Sequence, residues 1–515
     1  MDRFRTAAYI SRVPENHPLH NSVASLADQV RTRRVSAVSV VEHTLATIDG
    51  ADAAIRSVVW RDDEAALEQA ARLDRRLAEA DGSNAIPPLA GVPMTVKDLF
   101  AVEGQPYSRS SLAYDDAPAT TTDLPVAAAL AAGMVQVGRA AAPELGMTTS
   151  CESDRWGITR NPWNLEHSPG GSSGGSAASV AAGLVPVAIA SDGGGSIRVP
   201  AAFCGVVGLK PTRGLVPSRL QGWAGGASAG AITRTVADAA LVHDHLTRRD
   251  PHAWAARPAS GRRAAGGNDL TAALERPTPR LRIGVLTEAF DPAIDVDEAC
   301  AAVVRDLAER LRTDGHEIVE VHPSDATAAV MDIYPTTIIP TWLALDPPSR
   351  PERLPAHVQR HLAHAAGIEA TTYVREVNRF ETLAREITTD YFDRVDVLLT
   401  PTTATRVPRI GEIRSELIQS GGPLGRACPR YEQTLAFTTV ASVIGSPALS
   451  VPTGLDDDGL PLAVQIIGRQ HADDVVLQLG RDVEAHYPAL TPPHSASPSS
   501  HPASPAPGPT KVTTP

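Results

Sequence analysis

The chain has 515 residues, 43% hydrophobic and 21% charged, with a formal net charge of −12. The composition is that of a globular protein, and the negative balance excludes a nucleic-acid surface, which needs clustered Lys and Arg in a positive field. Four cysteines without paired spacing (Cys151, Cys204, Cys300, Cys428) signal neither a disulfide framework nor a CxxC metal site.

MDRFRTAAYISRVPENHPLHN lacks the apolar core of a signal peptide, and no run of about 18 apolar residues occurs. A cytoplasmic protein that neither crosses nor docks on a membrane is expected. Residues 1–21 read as an N-terminal extension. From Ser22 to Ile48, Val23, Leu26, Val30, Val35, Val38, Val41, Leu45 and Ile48 recur at helical intervals, which predicts two short helices. The basic run Arg31, Arg33, Arg34 reads as a solvated helix end. Glu64 to Glu79 is a third helix with alternating charges, stopping near Asp81-Gly82. Val92 to Val96 is a short β-type run that delivers Lys97 to its end.

An alanine-rich helix between Asp123 and Gly133 leads to a strand at Met134 to Gly138. Pro143 to Gly157 and Arg160 to His167 read as loop. Beyond the stretch 168–212, Gly222 to Thr235 is Gly/Ala-rich and Val236 to Leu246 is a helix. Residues 247–280 hold many Pro, Gly and Arg with little periodicity, which predicts a surface insertion. A β-α-β unit follows: strand Leu281 to Leu286, amphipathic helix Asp297 to Thr313 stopping at Gly315, strand Glu317 to Val321. Residues 330–395 are mostly helical, with apolar and aromatic positions suited to lining a pocket. Strands at Val395 to Leu399, Ala448 to Pro452 and Leu462 to Gly468 precede a last helix from Asp473 to Tyr487. The Pro/Ser-rich tail 491–515 cannot bury enough apolar area to offset ordering, so disorder is expected there.

The stretch from Ser168 to Thr212, SPGGSSGGSAASVAAGLVPVAIASDGGGSIRVPAAFCGVVGLKPT, carries the chemistry. Two glycine-serine loops, Gly170 to Ser176 and Gly193 to Ser196, flank an Ala/Val-rich core segment. No lysine follows the glycines in P-loop order, so the loops suit an oxyanion better than a phosphate. Amide hydrolysis needs a hydroxyl nucleophile, donors for the tetrahedral oxyanion and a proton for the leaving amine. Ser196 is the candidate nucleophile. Up to four successive N–H groups, from Gly193 through Gly194 and Gly195 to Ser196, can curl around one oxyanion without side-chain obstruction.

No histidine is presented as the base: His167 lies in loop sequence and reads as a surface or capping residue. Gly171 to Gly175 matches GxSxG around Ser173, but the preceding residues are not the buried strand that a nucleophile elbow requires. A buried lysine made neutral by desolvation can serve instead, and Lys97, closing an apolar strand, is the leading candidate; its structural alternative is an ion pair with Asp98 or Glu103. His357, His361 and His364 share a helix face. They lack the acidic partner of an HExxH site and read as a solvated face, so no metal or other cofactor is expected.

These residues resemble the amidase-signature serine hydrolases. The resemblance rests on GGSSGGSAA, DGGGSIRVPA and FCGVVGLKPT, with GVPMTVKDLF, LLTPTTA and LPLAVQIIG outside them, and it spans most of residues 22 to 487. It implies a single large α/β/α domain over 22–490 around a central mixed sheet of roughly eleven strands, with 247–280 as an insertion. It also implies a Ser-cisSer-Lys triad: Lys97 the buried base, Ser172 the bridging serine after a cis peptide bond, Ser196 the nucleophile that forms the acyl-enzyme. Gly193, Gly194, Gly195 and Ser196 would form the oxyanion hole, with Ser173, Asp192 and Arg198 as supporting residues.

The implied activity is hydrolysis of a small carboxylic amide to carboxylate plus ammonia or amine, as an amidase or acylamidase, with esterase activity as a side reaction. A homodimer is compatible with this reading. The family also contains the glutaminase subunit of tRNA-dependent amidotransferases, which is the alternative. The wording SDGGGSIR resembles members acting on aminohexanoate oligomers or aryl amides. Two positions depart from the family pattern: Gly193 stands where Thr is common, and Ser442 where many members have Asn.

Overall fold

A computed structural model of the chain describes residues 22–79, 86–218, 222–247, 269–420 and 428–492. Thirteen strands occur among these residues: β1 Val58–Trp60, β2 Pro93–Lys97, β3 Val135–Ala140, β4 Glu152–Ser153, β5 Gly157–Ile158, β6 Val187–Asp192, β7 Val207–Lys210, β8 Ser228–Thr233, β9 Arg282–Val285, β10 Glu317–Glu320, β11 Val397–Pro401, β12 Ala448–Leu455 and β13 Pro461–Gly468. Eleven form one mixed sheet in the order β1-β3-β2-β6-β8-β7-β12-β13-β11-β9-β10, while β4 and β5 pair separately. The outer segments β3-β2-β6 and β11-β9-β10 are parallel, and the centre from β6 to β11 is antiparallel.

Helices cover both faces, so central strands are buried on both sides and lose the polar-apolar alternation of a half-exposed strand. In β6, Ala188 and Ala190 belong to the core on one face, where helix Gly174–Ala181 contributes Ala177, Ala178 and Ala181. Val187 and Ile189 pack with Val242 and Leu246 of helix Val236–Leu246 on the other. The β9–β10 pair is parallel and bridged by helix Glu298–Thr313, the β-α-β unit expected from the sequence. Among the described residues no helix is long and apolar enough to cross a membrane.

The Gly/Ala-rich stretch 222–235 contains β8, which lies between β6 and β7 in the middle of the sheet. Small residues there are a packing requirement: a Cβ on Gly230 would come 2.5 Å from the Leu209 carbonyl oxygen. The insertion read at 247–280 is helical at Leu270–Leu274, with Leu270 and Ala273 buried. The extension 1–21, residues 248–268 of the insertion and the tail from 493 lie outside the described residues.

Candidate active site

β2 is buried along its whole length and places Lys97 at its C-terminal end. The Lys97 side chain is fully buried, with Nζ 2.7 Å from Ser172 Oγ, 3.1 Å from Ser191 Oγ and 3.2 Å from the Ser191 carbonyl oxygen. Burial lowers its pKa to about 7, because the charged form is stripped of water; Asp192 and Cys151 offset only part of that. The ion pair with Asp98 does not form. Asp98 instead accepts from Arg139 Nε at 2.6 Å, Ser110 Oγ at 2.8 Å and Trp156 Nε1 at 2.8 Å, so the carboxylate next in sequence is neutralised away from the lysine.

The first glycine loop presents Ser172. Gly170 has φ +78°, which favours glycine, and a Cβ on Gly171 would come 2.8 Å from the Thr148 carbonyl oxygen. The Gly171–Ser172 peptide bond is cis. Helix Gly174–Ala181 begins directly afterwards and is built of small residues because it lies against the sheet backbone: a Cβ on Gly175 would come 2.3 Å from Ala141 N. Ser173, fully buried, donates through its N–H to the Ser196 carbonyl at 3.2 Å and through Oγ to the Ser191 carbonyl at 3.3 Å, stitching the two loops together.

The second loop leaves the end of β6 and enters helix Arg198–Cys204. All four of its carbonyls are anchored. Gly193 O accepts from Tyr334 Oη at 2.7 Å, Gly194 O from Thr438 Oγ1 at 2.5 Å and Thr439 Oγ1 at 3.4 Å, Gly195 O from Val199 N at 2.7 Å, and Ser196 O from Ser173 N. Gly195 has φ +137° and lies so close to Thr438 that a Cβ would come 2.3 Å from Oγ1, which restricts the position to glycine. Its N–H donates to Asp192 Oδ1 at 2.7 Å. Of the four N–H groups from Gly193 to Ser196, that of Gly195 is thereby engaged by Asp192. Among the described residues no hydrogen bond engages the N–H groups of Gly194 or Ser196.

Asp192 and Arg198 form a fully buried pair, Nη2–Oδ1 2.8 Å and Nε–Oδ2 2.9 Å. Burial alone would raise the Asp192 pKa, but the Arg198 charge and hydrogen bonds, with Lys210 and the Ile197 N–H, hold it down at about 2. Arg198 Nη1 reaches the Thr438 carbonyl at 2.8 Å and Gln465 Oε1 at 2.6 Å. Ser442, one of the two departures noted in the sequence, accepts from Arg198 Nη2 at 2.9 Å and donates to Asp192 Oδ1 at 3.2 Å, so a short hydroxyl completes the network at that position.

The sequence reading did not single out Ser191, Tyr334, Thr438 or Gln465. Ser191 and Gln465 are hidden within apolar strands, where a polar residue facing another element looks like any interior position. Thr438 sits in a short turn with no motif. Tyr334 comes from the helical region 330–395, which the sequence marked only as pocket-forming. The histidines at 357 and 361 are buried, not solvated: His361 Nδ1 lies 2.8 Å from the His357 carbonyl, and His364 Nε2 meets the Thr336 carbonyl at 2.9 Å. His167 is also largely buried, with its backbone bridged to Arg409.

The amidase family profile matches residues 39–477. The chain is 34% identical to a glutamyl-tRNA(Gln) amidotransferase subunit of Prochlorococcus marinus over 91% of this chain and 98% of that protein. It is 35% identical to a putative amidase of Synechocystis over 90% and 88%. The 6-aminohexanoate-cyclic-dimer hydrolase of Paenarthrobacter ureafaciens is 31% identical over 91% and 95%. A solved structure of a 6-aminohexanoate cyclic dimer hydrolase superposes with a TM-score of 0.82 at 30% identity, covering 92% of this chain and 99% of that one. With the eleven-stranded sheet and a profile match over most of its length, the chain belongs to the amidase signature family of carbon–nitrogen hydrolases.

Proposed function

We propose that the protein hydrolyses a small carboxylic amide, releasing ammonia or an amine, through Ser196, Ser172 and Lys97. The observation that carries this reading is the fully buried Lys97, its Nζ 2.7 Å from Ser172 Oγ and its pKa lowered by burial to about 7. Neutral Lys97 takes the Ser172 proton while Ser172 takes that of Ser196, and the Ser196 alkoxide attacks the amide carbonyl carbon. The N–H groups of Gly193, Gly194 and Ser196 are the donors left to stabilise the oxyanion, that of Gly195 being engaged by Asp192. As the tetrahedral intermediate collapses, the carbon–nitrogen bond breaks, Ser172 passes a proton to the leaving nitrogen and is reprotonated by Lys97, which becomes neutral again. Water then attacks the acyl-enzyme by the same relay and frees the carboxylate. Ser173, Asp192 and Arg198 hold the two loops in register. Four buried free cysteines fit a reducing compartment, the cytoplasm.

The reading is tested by a screen of simple aliphatic and aryl amides, with amine or ammonia release as the readout. Turnover of at least one, lost in Lys97→Ala, supports it; turnover unchanged in that variant would overturn the mechanism. A glutaminase of the amidotransferase type is the second reading, favoured by the 34% identity over 98% of the amidotransferase protein. Ammonia release from glutamine, with the simple amides left intact, would favour it over the first.

The pH dependence has a definite sign. Lys97 accepts a proton only when neutral, and its pKa is lowered from 10.5 to about 7. The profile of kcat/KM is therefore expected to rise as pH increases through about 7 and to level off above it. A rate that falls with rising pH across that window contradicts the assignment of Lys97 as the base.

A further inference from the structure

We propose that Tyr334, from a segment outside both glycine loops, is a positioning residue for the oxyanion loop: by holding the Gly193 carbonyl it aims the Gly194 N–H into the site. The proposal rests on the reading of Gly194 as an oxyanion donor.

The argument is peptide geometry. In a planar trans peptide the C=O of one residue and the N–H of the next point in opposite directions. Fixing a carbonyl therefore fixes the donor that follows it, in the opposite sense. The loop follows this rule at its middle peptide, where Thr438 and Thr439 hold the Gly194 carbonyl and the following N–H, that of Gly195, meets Asp192 Oδ1 at 2.7 Å. At the preceding peptide the Tyr334 hydroxyl, 2.7 Å from the Gly193 carbonyl, is the anchor, and the N–H it directs is that of Gly194. At the third peptide Val199 N holds the Gly195 carbonyl and directs the Ser196 N–H. Of the four residues that anchor the three peptides between Gly193 and Ser196, Val199 belongs to the helix the loop enters, and Thr438 and Thr439 come from the segment that also binds Arg198. Tyr334 is the one supplied by the helical region 330–395.

Tyr334 is built for this task. Its side chain is 1% exposed and stacks on Phe380, with ring centroids 5.5 Å apart and planes at 22°. Its hydroxyl occupies space that only a glycine at 226 leaves open: a Cβ there would come 2.1 Å from Tyr334 Oη. Tyr334 opens a single π-helical turn, Tyr334–Ile338, between helices Asp325–Ile333 and Ile339–Leu343. Wide turns of this kind inside helices recur at functional sites because they re-aim one side chain. Burial raises the phenol pKa far above its ordinary value, so the hydroxyl keeps its proton and remains a donor throughout the working range.

The test is the rate at which a fluorophosphonate probe, whose phosphoryl oxygen enters the oxyanion site, labels Ser196 in the full-length protein, followed by intact mass. Tyr334→Phe removes the donor and keeps the ring. Labelling is expected to slow by about tenfold or more, bounded by the ~10²–10³-fold effect of deleting one oxyanion donor outright. The pH midpoint of labelling, set by Lys97, is expected to stay where the wild type has it. Gly226→Ala, which displaces the hydroxyl without removing it, is expected to slow labelling in the same way and serves if Tyr334→Phe does not fold. Wild-type labelling rates in the folded variants would overturn the proposal. A midpoint that moves together with the rate would also overturn it, since the effect would then run through Lys97. If Ser196 of the wild-type protein takes no label while the probe inhibits hydrolysis, the assignment of the nucleophile fails and the role of Tyr334 fails with it.

Discussion

Ser196→Ala is expected to reduce amide turnover by about 10⁴-fold or more, to the level left by binding and oxyanion stabilisation alone, as deletion of a nucleophile does in other serine hydrolases. The methyl group of alanine fits where the hydroxymethyl stood, so the fold is expected to persist. The loop is held by its backbone, through the Gly194 carbonyl to Thr438, the Ser196 carbonyl to Ser173 and the Gly195 N–H to Asp192, and none of these contacts uses the Ser196 hydroxyl. Thermal unfolding is thus expected to match the wild type within experimental error while hydrolysis disappears. Residual turnover of more than a few per cent in a preparation free of wild-type enzyme would move the nucleophile elsewhere, with Ser172 the next serine to examine.

Arg198→Ala is expected to cost both stability and activity. Both members of the pair are 0% exposed, and removing the guanidinium strands the Asp192 carboxylate in the interior. Breaking a buried pair from one side costs about 3–5 kcal/mol, because the remaining charge has lost its partner and cannot recover water. The loss spreads further here than in an isolated pair. Arg198 also satisfies the Thr438 carbonyl and Gln465 Oε1, and Asp192 fixes the N–H groups of Gly195 and Ile197. Arg198→Lys keeps the charge but not the planar fork that meets both carboxylate oxygens, so an intermediate loss is expected. Thermal or denaturant unfolding of the two variants, with turnover measured on the folded fraction, checks both. An alanine variant as stable and active as the wild type would remove the pair from any role in holding the loop.

The parts of this enzyme legible in its sequence are those where a backbone requirement restricts the residue type. The glycine loops around Ser172 and Ser196 could be found because Gly170 and Gly195 need positive φ and Gly171 and Gly175 need room, and such demands leave runs of glycine in the sequence. Lys97 stood out for the opposite reason, a charged residue closing a strand that is otherwise apolar. The helix Val236–Leu246 and the β9–β10 unit were readable from period alone. β8 was not: its residues, Ser-Ala-Gly-Ala-Ile-Thr, are small because the sheet around them is crowded, and small residues erase the period that marks a strand. The oxyanion set was read as four equivalent donors. Spacing cannot tell which N–H an aspartate three residues upstream will claim, and in the structure it is that of Gly195. Tyr334 and Gln465 were out of reach for a plainer reason: their partners lie 141 and 267 positions away in the chain.

The Arg198 guanidinium also sets a schedule for the chain as it is made. Lys97, Ser172 and Ser196 have all been synthesised by residue 196, yet the acceptors that satisfy Arg198 belong to residues 438, 442 and 465. Domains fold as units while the chain emerges amino end first. Until β13 has joined the sheet, Arg198 has Asp192 but lacks the other three of its four hydrogen-bonding residues. The Arg198 network is therefore expected to close late, so a chain that stops short of β13 carries Lys97, Ser172 and Ser196 but is expected to lack the proposed amidase activity.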